Sequence, residues 1–279
     1  MTTNAASSAT PIPSDAVLRD RPSDLAPPSR RRRVALALSG VLVLALPLLW
    51  GLGSLVALMT GHEADHRFHQ LTGEGVLLGV LWAAGPVALL LASWRGRPVP
   101  GWAWPAHAGF VLASVVTASF VPGDGVRVLA AIVAVTAALL WWAVPALPRL
   151  HGLVDGLDPV LSPLALLGAA LYAPYVVAQR HLQATRHDEH AEMTHYFDMA
   201  WLAVAIVLLL VTAAISRQAG RTAILAGGAG LVVGVGGLLL VHPTTWFVLA
   251  ALHGGAVLGA AVLQRRTSVV RPSGGRTSV

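Results

Sequence analysis

Two short patterns pair a carboxylate with an imidazole three residues later: Glu63-Ala-Asp-His66 and Glu192-Met-Thr-His195. On a helix, positions i and i+3 share a face. Such a pair aims an acid and an imidazole at one ion, or lets the acid orient the imidazole that holds it. Paired Glu-x-x-His patterns also occur in di-iron bundles, but those need two more glutamates from other helices. The plain alternative is two wet helix starts, with acids placed favourably against the helix dipole. Further imidazoles lie close by in sequence: His62 and His69 beside the first pattern, and His181, His187 and His190 before the second. With His242, they make His69, His187, His190, Glu192 and His242 the candidate ligands of a divalent transition metal. Imidazoles beside carboxylates suit metal binding or proton handling.

Two histidines stand apart. His253, in Ala250-Ala-Leu-His253-Gly-Gly-Ala, falls inside an apolar stretch about eight residues from its end. That is roughly 12 Å deep at a helical rise of about 1.5 Å per residue. A lone imidazole there needs a partner and reads as functional by default. His107 reads as an interfacial residue beside Trp102 and Trp104.

The elements that carry these residues are apolar. The chain has 279 residues, 55% hydrophobic and only 11% charged, with no cysteine. Its mean hydropathy is +0.68. A typical soluble domain carries about 25% charge. Disulfides, thiolate metal sites and cysteine nucleophiles are therefore excluded. The apolar residues come in blocks of about 20, the length that crosses a bilayer core as a helix. Eight spans are expected, near 34–59, 75–94, 102–121, 126–147, 159–179, 198–216, 222–241 and 245–264. The fold class is all-α, a polytopic membrane protein. Residues 1–33 read as a disordered cytoplasmic tail. Residues 34–148 form a first four-helix half, 149–158 a linker, 159–264 a second half and 265–279 a second tail.

All 19 basic residues are arginine. With the N-terminus inside, 15 fall in inner segments; the other four are Arg67, Arg127, Arg180 and Arg186. This bias predicts a plasma-membrane protein with both termini cytoplasmic. It also makes nucleic acid a poor partner despite the net positive charge; the partner is the lipid bilayer. The same topology puts eight of the eleven histidines and all four glutamates outside. A shift of 121 residues maps spans two to four onto six to eight, with Gly109 on Gly230 and Pro122 on Pro243. The expectation is two parallel four-helix halves.

Glu63-Ala-Asp-His66-Arg67, His195 and His253 together resemble heme A synthase, an eight-span family of two four-helix halves. The resemblance covers about half the chain. It implies that Glu63 and His66 match the family's reactive, catalytic Glu and His. It also implies that His195 and His253 are axial ligands to a haem, one from each of two helices. The family's long first outer loop is absent here, and Ile132 stands where its fourth-span histidine would be.

Three function classes follow. One is a haem- or metal-binding protein of membrane redox or cofactor-assembly chemistry. Another is a transporter, with Pro47, Pro86 and Pro163 as possible helix breaks but no charge at mid-span. The last is a pH-responsive or structural membrane protein without a cofactor. Gly-x-Ser-x-Gly, His-Glu-x-x-His and phosphate-loop patterns are all missing.

Overall fold

The computed structural model describes residues 29–60, 64–144, 156–216 and 220–270, and every regular element among them is helical. The chain runs through α1 (Arg30–Thr60), α2 (Ala64–His69), a π-helical segment (Gln70–Trp82) and α3 (Ala83–Trp94). It continues through α4 (Ala103–Phe120), α5 (Asp124–Ala143), α6 (Leu161–Thr185) and the single turn α7 (Glu189–Glu192). The last three are α8 (His195–Ile215), α9 (Gly220–Leu240) and α10 (Thr245–Val270). Eight helices are long and apolar enough to cross a membrane, α2, the π segment and α3 forming one of them from His66 to Trp94. The all-α, eight-span architecture is thus as the hydropathy pattern predicts.

The helix starts differ where it matters. The second span is expected from residue 75 but begins at His66, and the sixth is expected from 198 but begins at His195. Hydropathy stops at polar residues such as Gln70, Glu74 and Asp198. The helices continue through them because these side chains turn toward other helices. Pro47 and Pro86 lie inside continuous helices, and Pro163 sits in the first turn of α6, where its missing N–H costs no bond. The departure from α winding is the π segment, whose i→i+5 bonds are usually confined to one turn. Its glycines suit it: a Cβ on Gly75 would stand 3.2 Å from the Gln70 carbonyl oxygen, five residues back.

At the centre lies α8, the most thoroughly buried span. It packs on α4, α6, α9 and the π segment, so both expected halves share one hydrophobic core. Trp82, Phe110, Phe197 and Trp201 join the π segment, α4 and α8, with Phe110 and Trp201 ring centroids 4.8 Å apart. Each such ring pair contributes about 0.5–1.5 kcal/mol beyond the area it buries. At the other end of the bundle, Asp158 accepts from the Val160 and Leu161 backbone N–H groups and from the Gln264 amide. Its own N–H donates to the Ala214 carbonyl at 2.7 Å. One residue thereby pins α6, α8 and α10 together.

The tightest helix pair is α9 with α10, and glycine makes it possible. Gly227, Gly230, Gly234 and Gly237 line one face of α9. A Cβ on Gly254 of α10 would run into the Leu231 nitrogen and come within 2.7 Å of the Gly227 oxygen. In lipid there is little hydrophobic drive between helices, so such backbone approach carries much of the packing. Gly255, next along α10, has nothing within 4 Å of an added Cβ. Gly254→Val is therefore expected to lower thermal stability in detergent by at least about 1–3 kcal/mol. Gly255→Ala should leave it within about 0.5 kcal/mol of wild type. Equal unfolding midpoints for the two variants would contradict this packing.

Candidate metal centre

Four imidazoles meet at one end of the bundle. They come from α2 (His66 and His69), α7 (His190) and the first residue of α8 (His195). The rings of His66 and His190 stack 4.7 Å apart at 6°, and those of His69 and His195 stack 5.5 Å apart at 18°. Across these stacks the rings meet edge-on, at 4.9 Å for His69–His190, 5.5 Å for His190–His195 and 5.9 Å for His66–His195. His66, His190 and His195 each offer one nitrogen, and the three nitrogens lie within 4.8 Å of one another. Tetrahedral zinc with bonds of about 2.0–2.1 Å holds its nitrogens about 3.4 Å apart. Ring rotation must therefore shorten the longest edge by about 1.4 Å, well within the reach of imidazole side chains.

Local structure explains the convergence. His66 and His69 are i and i+3 on α2, so they share a face. α7 is too short to stand alone and is held by its neighbours. Asp188 caps it by accepting the Ala191 N–H at 3.0 Å, and the Tyr196 hydroxyl donates to the other Asp188 oxygen at 3.1 Å. The Gln183 amide donates to the Ala191 carbonyl at 2.7 Å. Desolvation pushes the Asp188 carboxyl up. The Ala191 and Tyr196 bonds, with the charges of His190 and Arg186, outweigh it and hold the group below its usual range. The cap is thus intact at neutral pH and is lost only as strong acid protonates it.

Between α7 and α8, Thr194 sits at φ +61°, left-handed backbone that a β-branched residue adopts at a cost of about 1–3 kcal/mol. This turn swings His195 inward. It also breaks the helix between Glu192 and His195, so the second Glu-x-x-His pattern is not the single-helix pair its spacing predicts. Glu192 ends α7 and is exposed.

Two acids approach the imidazoles instead. A Glu189 oxygen is 3.9 Å from His66 Nε2, and a Glu74 oxygen is 3.9 Å from His195 Nε2. Glu74 is fixed in turn by the Ser54 hydroxyl of α1, which donates to it at 2.6 Å. One turn into α8, Asp198 is buried, and its Oδ1 has no hydrogen-bond partner. His69 Nδ1 and His195 Nδ1 are likewise buried without partners. Glu74, Asp198 and His195 border a cavity of about 220 Å³.

Of the residues that the sequence singles out, the structure gathers His66, His69, His190 and His195. His187 and His242 are exposed and stand outside the group. Glu63 lies outside the described residues. His253 is elsewhere. Its Nε2 lies 2.9 Å from the Leu164 carbonyl of α6, so that nitrogen carries the proton and donates. Its ring meets Tyr172 edge-on at 5.9 Å and packs against Gly168. His107 is fully buried and accepts the Trp141 indole N–H at Nδ1, 3.1 Å, so it is a core residue and not an interfacial one. Glu74 and Asp198 were legible only as loop acids. Their place inside the bundle depends on helix extensions that hydropathy does not reveal.

No protein-family model, no curated protein and no solved structure matches this chain.

Replacing His253 by Leu leaves the Leu164 carbonyl without its donor inside the bundle. This is expected to cost about 1–3 kcal/mol of stability, read as a lower unfolding midpoint in detergent. Binding of a metal ion at the imidazole group should be unchanged. A loss of ion binding with no loss of stability would contradict the purely structural role.

Proposed function

We propose that this multi-pass membrane protein captures a divalent transition-metal ion at one rim of its helical bundle, with His66, His190 and His195 as ligands. The observation that carries this reading is the convergence of three imidazole nitrogens from three separate elements. No helical periodicity brings such residues together by default. Nitrogen-only ligation favours zinc and neighbouring transition metals over calcium or magnesium, which take oxygen. Three protein ligands leave a fourth position for water, an exchanging ligand or His69. Glu189 and Glu74 are placed to accept N–H bonds from ligating rings, the usual way a protein fixes their tautomer and orientation. The arginine bias supports a rim on the outer side of the plasma membrane.

The surroundings of His195 and His253 favour a bare ion over a porphyrin. His195 packs among other imidazoles, and His253 spends its Nε2 on a backbone carbonyl. Pro47 and Pro86 lie inside continuous helices, so broken helices lend no support to the transporter alternative.

The test is zinc binding by the purified full-length protein after chelation and dialysis. One ion should bind at this rim. His66→Ala, His190→Ala and His195→Ala should each weaken it by at least about tenfold, and His187→Ala and His242→Ala should not. Affinity should fall as pH drops, because only the neutral imidazole ligates. Unchanged affinity in all three ligand variants would overturn the reading.

A further inference from the structure

The end of the bundle opposite the imidazole group carries a large excess of positive charge. The second and sixth spans start at His66 and His195 and finish at Trp94 and Ile215, so those finishes mark the other end. Among the described residues there stand the arginines at 30–33, with Arg95, Arg97 and Arg221, and all seven are exposed. Against them, the described residues at this end offer one acid, Asp158. It is already engaged, accepting from the Val160 and Leu161 N–H groups and from the Gln264 amide. The first turn of α1 holds no acid. Among the described residues, none of these arginines forms an ion pair with a carboxylate.

Tryptophans at the same end fix the depth of this charge. Trp94 closes the second span and Trp142 stands one residue before the end of α5, and they are 56% and 78% exposed. Trp102 stands just before α4, and the Arg221 guanidinium lies 5.8 Å over its ring. Arg95 and Arg97 belong to the turn between the second and third spans, within seven residues of Trp102. That turn is held by the Arg97 N–H, which donates to the Ala92 carbonyl at 2.9 Å, and by Gly96 in left-handed backbone at φ +60°. Exposed tryptophans gather where hydrocarbon meets the lipid headgroups. The arginines beside them therefore stand at headgroup depth, where lipid phosphate is the nearest source of negative charge. A guanidinium matches a phosphate with two parallel N–H bonds, a fit that a point charge lacks.

We propose that Arg95, Arg97 and Arg221, grouped about Trp102, form a docking surface for the headgroups of anionic phospholipids, with the arginines of α1 adding to the same field. A zwitterionic headgroup brings its own positive charge and leaves the excess unbalanced, so the surface selects lipids of net negative charge. Each basic residue near such a membrane surface strengthens the attraction about fivefold. The tryptophans decide against a soluble polyanion such as nucleic acid, which would have to displace lipid to reach groups at headgroup depth. The inference is independent of ion capture at the opposite rim, and neither stands or falls with the other.

The experiment takes the full chain in neutral detergent micelles that carry equal amounts of phosphatidylglycerol and phosphatidylcholine with matched acyl chains. After gel filtration, mass spectrometry counts the lipid of each kind that stays with the protein. Wild type should retain phosphatidylglycerol over phosphatidylcholine by at least about tenfold. The triple variant Arg95→Gln, Arg97→Gln and Arg221→Gln should lose that preference by about fivefold per arginine removed, with phosphatidylcholine retention unchanged. Arg127→Gln, exposed at the opposite end, should behave as wild type. A test on the unaltered chain guards against misfolding of the triple variant. Raising salt from about 0.1 M to about 1 M shortens the screening length from about 10 Å to about 3 Å, and the preference should shrink with it. Excess inorganic phosphate or a short single-stranded RNA should not displace the lipid. Equal retention of the two lipids by wild type, or an undiminished preference in the triple variant, would overturn the proposal. Displacement by free phosphate or by RNA would overturn its commitment to a headgroup.

Discussion

A polar side chain on a membrane-crossing helix must find its partner inside the protein, because lipid offers none. This constraint organises the structure. It turns His66, His69, Glu74, His195 and Asp198 away from the helix faces that meet lipid. It lets the second and sixth spans run on through residues that hydropathy reads as loop. The same constraint sends the His253 N–H to the Leu164 carbonyl and the Trp141 indole to His107. Where a polar group finds a partner, as the His253 Nε2–H does at the Leu164 carbonyl, the result is stability. Where nitrogens and oxygens are left over, as at His69, His195 and Asp198, the structure holds unspent ligating capacity.

The two polar regions are built by different means. The imidazole group depends on short-range devices: a single-turn helix capped by Asp188, and a left-handed Thr194 that turns the chain just before His195. The acidic cavity depends on long-range packing. The π segment carries Glu74 against α1 and α8, and the Trp82–Phe110–Trp201 rings close the space near it. His195 belongs to the imidazole group and also borders the cavity.

The number and order of the eight spans were legible, because bilayer thickness sets segment length and composition reports it, but the polar starts of the second and sixth at His66 and His195 were not. The site was half legible. The concentration of imidazoles near His66 and His195 is visible in the residues, and His66, His190 and His195 all stand among the candidates. Which of them converge is not visible. His187 and His190 are equally placed in the sequence, yet only His190 falls on the α7 turn that Asp188 holds against α2 and α8. The Glu192–His195 spacing misleads for a similar reason, since one residue in left-handed backbone separates the pair onto two elements. Glu74 and Asp198 misled in the opposite sense. Their charge argued for a loop, and only tertiary packing shows that they lie within helices.

The proposed function requires the three imidazoles that packing brings together to share one ion. X-ray absorption at the zinc edge, on protein loaded with one equivalent, reads that coordination directly. At least three nitrogen neighbours at about 2.0–2.1 Å are expected, with the outer-shell scattering that imidazole rings produce. A first shell of oxygen alone, without imidazole scattering, would contradict it.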